Sequence, residues 1–366
     1  MSGLLVTPRW KEIPSRLSSH VSVPEDTWEP QEPPPEPSTE GDLQLERVIE
    51  CDEEVMTCRF NPSGTLLAVG LLSGVIKVYS VTDGSCVHCL KDDQTVIEHL
   101  PVTSIRFLPN RSDSQGDLFV ATYAGGRVKF WHLSTQSCVH ALHEDRQTLV
   151  TTFSPSGKHF LTAGSSQDIL VYDTETMARV SVCQPSASLT VMDGHYSRIF
   201  GLAFHPQSED DFISGGWDNT VQFWNIRHPH SLRKISGPHV CGDALDIDAQ
   251  TNEILIGSWR KEENLQIWDA YSCQKLQTVP NDYRGASKVY NCRWLGPSHL
   301  IVAGSDMNMC RIVDRSVYLT RGCLLDLPGG VYSMDVSTHK NSTSPLIAVT
   351  SSQSVFLLHP TGNIVL

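Results

Sequence analysis

The 366-residue chain is 40% hydrophobic, with a formal net charge of -13 and a pI near 5.5. It exceeds the ~250–300 residues at which one core stops growing, and its acidic balance makes nucleic acid an unexpected partner. No apolar run approaches the ~20 residues of a membrane span, and eleven cysteines without a secretory leader point to free thiols inside the cell, in cytoplasm or nucleus.

Residues 1–42 hold eight of the 21 prolines and eight acidic residues against three basic ones. Such a segment cannot bury enough apolar surface to fold alone, so a disordered, acidic, proline-rich tail is expected. Within it Val6, Trp10, Ile13 and Leu17 have helical spacing, with Thr7 as N-cap and Pro8 at the first helical position. Pro14 would end such a helix after about two turns. The run 30–37 suggests polyproline II with acidic flanks.

From Leu43 onward the chain repeats. The last apolar residues of successive strand-like runs fall at Phe60, Phe107, Phe153, Phe204, Ile247, Trp294 and Val336, and a second series falls at Tyr79, Trp131, Tyr172, Trp224, Trp268, Val313 and Leu358. Pro62, Pro109, Pro155 and Pro206 stop the first four runs. Seven periods predict seven structural repeats, none able to bury its faces alone.

The fourth period, 194–225, opens on Gly194-His195 and closes on Trp224-Asn225. Between them lie three short runs rich in β-branched and aromatic residues, at 199–204, 212–215 and 220–224. It resembles a WD40 repeat, with Asn225 where that family usually has Asp. The resemblance implies an all-β, seven-bladed WD40-type β-propeller over residues 43–366, following the tail, with residues 44–50 as the natural candidate for the strand that closes the ring and 363–366 as a rival. It also implies that His195, Ser214, Asp218 and Trp224 form the hydrogen-bonded structural tetrad of such repeats. A neutral histidine can bridge the aspartate and the serine while the indole N–H reaches the serine oxygen. The fifth period keeps His239, Ser258 and Trp268 but has Glu262 at the acidic position. The first, with Val69, Ser73 and Tyr79, and the second, with Ala121, Gly125 and Trp131, lack the set. Blades 4 and 5 are therefore expected to be the rigid ones.

Ser, His and Asp also make a hydrolase triad, but no G-x-S-x-G elbow occurs and Trp224 would occupy the serine oxygen. Cys86 and Cys89 lack a second pair at zinc spacing. His228 and His230 read as turn residues, and Asp246 with Asp248 lacks the remainder of a calcium loop. The reading is of a non-enzyme without cofactor or metal.

In the family that this chain resembles, partners bind at one mouth of the ring, at fixed positions on each blade. Carried onto this sequence, those positions are Arg198, Phe200 and Trp217 in the fourth repeat, and Asp243 and Lys261 in the fifth. Lys288 and Tyr290 follow in the sixth and Tyr332 in the seventh. Repeats one to three offer Met56, Leu72, Thr103, Ala124, Leu149 and Ser165, which are apolar or small. A scaffold that binds other proteins or extended peptide segments through the rim of blades 4–7 is expected, with an acidic or a cationic anchor equally open. The alternative is a substrate receptor of a cullin–RING ubiquitin ligase, because Trp224-Asn225-Ile226-Arg227 resembles the WDxR motif, with Arg227 as the adaptor-docking residue.

Overall fold

The computed structural model of the chain describes residues 36–109, 118–188, 190–337 and 345–362. The spacing of Val6, Trp10, Ile13 and Leu17 and the rival closing segment 363–366 lie outside them. The described residues form seven antiparallel sheets. Blade 1 is Val55–Phe60, Leu66–Leu71, Ile76–Ser80 and Cys86–Leu90, and each later blade repeats this four-strand meander. The first strands of blades 2 to 4 are Val102–Phe107, Thr148–Phe153 and Ile199–Phe204. Those of blades 5 to 7 are Leu245–Ile247, Lys288–Leu295 and Met334–Val336. Each first strand packs beside the first strand of the next blade, and Met334–Val336 packs beside Val55–Phe60, which closes a ring around a channel. Strands one to four do end two residues before their prolines, where the missing N–H cannot break a ladder.

Apolar burial lies largely between blades. Phe130 and Val120 of blade 2 pack with Phe153, Phe160 and Tyr172 of blade 3. Ile199, Phe212 and Trp224 of blade 4 pack with Val150, Leu161 and Val171 of blade 3. A single blade would leave both faces wet, so the ring is the smallest stable unit.

The segment 38–50 makes the closure. Leu43–Glu50 pairs with Ser354–Pro360 as the outer strand of blade 7, and Leu43 itself is buried among Ile301, Leu324 and Leu358. The preceding strand Ser38–Gly41, within the stretch assigned to the tail on composition, pairs with Thr320–Leu325 and gives blade 6 a fifth strand. The switch between blades occurs at Gly41, whose φ is 68°. A Cβ there would run into the carbonyl oxygen of Arg321. Gly41→Ala is therefore expected to cost at least about 1–2 kcal/mol, the usual penalty for left-handed backbone with a Cβ. An unchanged denaturation midpoint would mean that this segment does not dock on blade 6.

Candidate interaction surface at the channel mouth

In blade 4 the hairpin between Asp211–Gly216 and Thr220–Asn225 brings four polar side chains together. His195 lies 2.6 Å through Nε2 from Ser214 Oγ and 2.8 Å through Nδ1 from Asp218 Oδ2, while Trp224 Nε1 donates to Ser214 Oγ at 2.7 Å. His195 and Ser214 are fully buried. Burial opposes the charge on Asp218, but hydrogen bonds from His195, the Tyr196 N–H and Thr220 outweigh it and hold the carboxyl below its ordinary range. The serine oxygen is filled by the indole donor, so it is a structural acceptor. Asn225 does the work of the usual aspartate: its Oδ1 accepts the Arg227 N–H at 3.0 Å, and its amide donates to Asp211.

Blade 5 departs from expectation. Strand pairing sets Ile256, and not Ser258, at the level of Ser214, because the blade 5 hairpin is two residues longer. Ser258 lies beyond the strand and accepts the His239 N–H; His239 Nδ1 faces Asn219, and Trp268 Nε1 donates to Gln266. Blade 3 instead holds a buried network on Glu144, which accepts from Thr162, Tyr172, Thr148 and Arg146. Glu144 stands four residues before its first strand, as His195 does.

Seven positions in or just before the first strands meet at the channel mouth. Met56, Thr103, Leu149, Phe200, Asp243, Tyr290 and Tyr332 line one cavity of about 210 Å³, with Arg59, Arg106 and Cys241. On its blade 4 side Phe200 stacks on Trp217 with ring centroids 5.2 Å apart, Trp217 stacks on His239 at 6.1 Å, and the Arg198 guanidinium lies 5.4 Å from the indole. Trp217 Nε1 donates to Cys241 Sγ at 3.0 Å, and burial pushes that thiol up to about 11. Trp217 remains 42% exposed, as a rigid aromatic on a rim. On the far side Tyr290 and Tyr332 meet edge to face at 5.2 Å, and Lys288 Nζ sits 4.3 Å from the Trp259 ring. Trp259 and His239 were not singled out by the repeat spacing, since one lies in the lengthened hairpin and the other was assigned to the tetrad. Lys261 is exposed and touches none of these rings.

Asp243 does not present itself at the rim. Its Oδ2 accepts from Arg59 of blade 1 and Arg106 of blade 2 at 2.7 Å, both across the channel, and from Arg293 of the adjacent blade 6. Burial disfavours its charge, but Arg106, Arg293 and Arg59 together hold it far below the carboxylate range. Arg106, desolvated at the channel and crowded by Arg59 and Arg293, is lowered to about 10. Asp246 accepts the Trp294 N–H, and Asp248 pairs with Arg315. At the opposite mouth Arg227 is 75% exposed along its side chain and pairs with Asp210 at 2.6 Å. Cys86 and Cys89 are free and exposed, and no cluster of three metal-binding side chains occurs among the described residues.

Ser214→Ala should cost about 1–3 kcal/mol by leaving the Trp224 indole donor and the His195 Nε2 acceptor without their partner, measured by chemical denaturation. Asp243→Asn should cost about 3–5 kcal/mol, because three guanidinium groups lose their counter-charge. Asp210→Asn, at an exposed pair, should stay within about 1 kcal/mol. The Asp243 carboxyl titrates lower when folded than when unfolded. Its stabilisation is thus complete above the unfolded value near 4 and is lost as pH falls below it. Denaturation midpoints from pH 7 to pH 2 should fall less steeply for Asp243→Asn than for the wild type.

Comparison with known proteins agrees with this architecture. The family profile described as "WD domain, G-beta repeat" matches residues 186–225, and that of the anaphase-promoting complex subunit 4 WD40 domain matches residues 43–110. The transcriptional corepressor LEUNIG_HOMOLOG of Arabidopsis thaliana is 24% identical over 53% of this chain and 22% of its own length. Transducin beta-like protein 3 of Bos taurus is 24% identical over 69% of this chain and 30% of its own. The ribosome biogenesis protein YTM1 of Scheffersomyces stipitis is 28% identical over 38% of this chain and 30% of its own. The matches thus span less than a third of each of these relatives. Two profile matches on different blades, these relatives and a seven-bladed ring closed by its N-terminal strand establish that the chain belongs to the WD40-repeat family.

Proposed function

We propose that the protein is a non-enzymatic scaffold that holds extended segments of other proteins on the rim of blades 4–7. One observation carries this reading: the arc formed by Phe200, Trp217, His239, Trp259, Tyr290 and Tyr332 around a 210 Å³ mouth. Tyrosine, tryptophan and arginine are the residue types that dominate interface energetics when they stand on rigid ground, and here the rings brace one another. Lys261 and Lys288 flank the arc, whereas Asp243 supports it from beneath. The relatives include a corepressor and a subunit of a target of rapamycin complex, names that fit a role in assembling proteins.

The alternative, docking to a cullin–RING ligase through Arg227, has the exposure of that side chain in its favour and the Asp210 ion pair against it. The two readings use opposite ends of the strand Thr220–Asn225, so they separate by mutation. Affinity purification with mass spectrometry should lose partners from Phe200→Ala/Trp217→Ala and keep them in Arg227→Ala, with circular dichroism showing that both variants fold. The reverse pattern would favour the ligase reading, and an unchanged partner set in the double variant would remove the rim.

A further inference from the structure

The rim offers both aromatic rings and cations, and the structure decides which of them is left for a partner. Each exposed indole of the arc already carries a cation of this chain. Arg198 sits on Trp217, and Lys288 sits on Trp259 at 4.3 Å. Trp217 is further covered by Phe200 and His239. An incoming lysine or arginine would find these ring faces taken and would meet like charge. An incoming carboxylate would find cations already held in place, with their side-chain entropy spent on intramolecular contacts.

The charge of those groups is only partly answered within the protein. Arg260 donates to the Asn219 side-chain oxygen, a neutral partner, and Lys288 has Asp306 at 3.5 Å. Among the described residues neither Arg198, Arg260 nor Lys261 is held in an ion pair, whereas the nearby carboxylates Asp218, Glu263 and Asp306 have partners in His195, Lys275 and Lys288, and Glu262 is exposed. The neighbouring imidazole responds to this field: burial, then the charge of Arg260, lower His239 against the pull of Asp218, which keeps it neutral. The equivalent loops of blades 1 and 3 carry Glu53, Glu54 and Asp145 instead. On a chain of net charge -13, the exposed Arg198, Arg260 and Lys261 thus stand over blades 4 and 5 without an ion pair among the described residues, whereas the loops of blades 1 and 3 present acidic side chains.

We infer that the rim of blades 4–6 takes an acidic peptide segment of a partner protein, its Asp and Glu carboxylates resting on Arg198, Arg260, Lys261 and Lys288 and its apolar residues entering the mouth between Phe200, Tyr290 and Tyr332. This assignment rests on the scaffold reading above and adds to it the sign of the partner's charge. Because the cations are exposed or half-buried, their contribution acts on encounter and register and is screened by salt, whereas the rings set residence time.

The test is affinity selection from a random 12-residue peptide library, with the full chain as bait. Selected sequences should be enriched several-fold in Asp and Glu over the starting library. The best of them, fluorescently labelled, should bind at least ~10-fold more weakly to Arg198→Glu/Arg260→Glu, whose sites are on the surface and whose fold circular dichroism can verify. Binding to the wild type should also weaken as salt rises from 50 to 500 mM, roughly the range over which the Debye length shrinks severalfold. Selection of Lys- and Arg-rich sequences that still need Phe200 and Trp217 would overturn the acidic anchor and leave the scaffold reading standing. Selected peptides indifferent to Phe200→Ala/Trp217→Ala, or no selection at all, would overturn both.

Discussion

Asp243 is the point at which the ring is tied across its own hole. Seven blades packed side to side are each held by two neighbours, but a contact spanning the channel fixes blades that are not adjacent. One carboxylate oxygen of blade 5 accepting from guanidinium groups of blades 1 and 2 does that, while Arg293 of the neighbouring blade 6 completes the cluster and Arg59 extends the tie to Asp335 of blade 7. Such a cluster adds little net energy once desolvation is counted. Its effect is on geometry, because a planar fork accepts a carboxylate only within a narrow range of positions. The mouth is lined partly by these same arginines, so the rings above it inherit their spacing from the charges below.

The polar networks make a related point about repeats. Blade 4 satisfies its buried centre with histidine, serine, aspartate and tryptophan, and blade 3 does so with glutamate, threonine, tyrosine and arginine. Blade 2 uses a buried lysine paired with Asp92 at the start of the helix Asp93–Glu98, and its Trp131 donates to Tyr123. The residue types differ, while in these three blades the central indole, hydroxyl and cationic donors each find an acceptor.

Much of the fold was legible because burial leaves periodic marks. The strand ends at Phe60, Phe107, Phe153 and Phe204 and the seven periods follow from spacing and turn chemistry, and the resemblance to WD40 repeats adds the closing strand 44–50. What failed to show were features set by partners distant in sequence. Asp243 occupies a position that spacing assigns to the rim, and nothing local reveals three arginines from other blades. Ser258 keeps the ten-residue interval to its tryptophan, yet a hairpin two residues longer moves it off the strand. Ser38–Gly41 carries no strand signal, since its pairing comes from the free edge of blade 6. The aromatic arc was legible in Phe200, Trp217, Tyr290 and Tyr332 but not in His239 or Trp259, whose roles depend on which ring lies against which.

The double docking of segment 38–50 bears on how the ring comes to be closed during synthesis. Of the ring's described strands, Leu43–Glu50 is made before any of the blade meanders, yet its partner Ser354–Pro360 emerges some three hundred residues later, a separation that makes closure slow and leaves an edge exposed meanwhile. Blade 6 is finished before blade 7, and the strand Ser38–Gly41 can pair with it as soon as Thr320–Leu325 exists. From then on the sealing strand is tethered by a single residue, Asp42, beside the place where the last blade will form. The search for its partner becomes local, at the high effective concentration of a short linker, and the unfinished edge is guarded by the strand that will complete it.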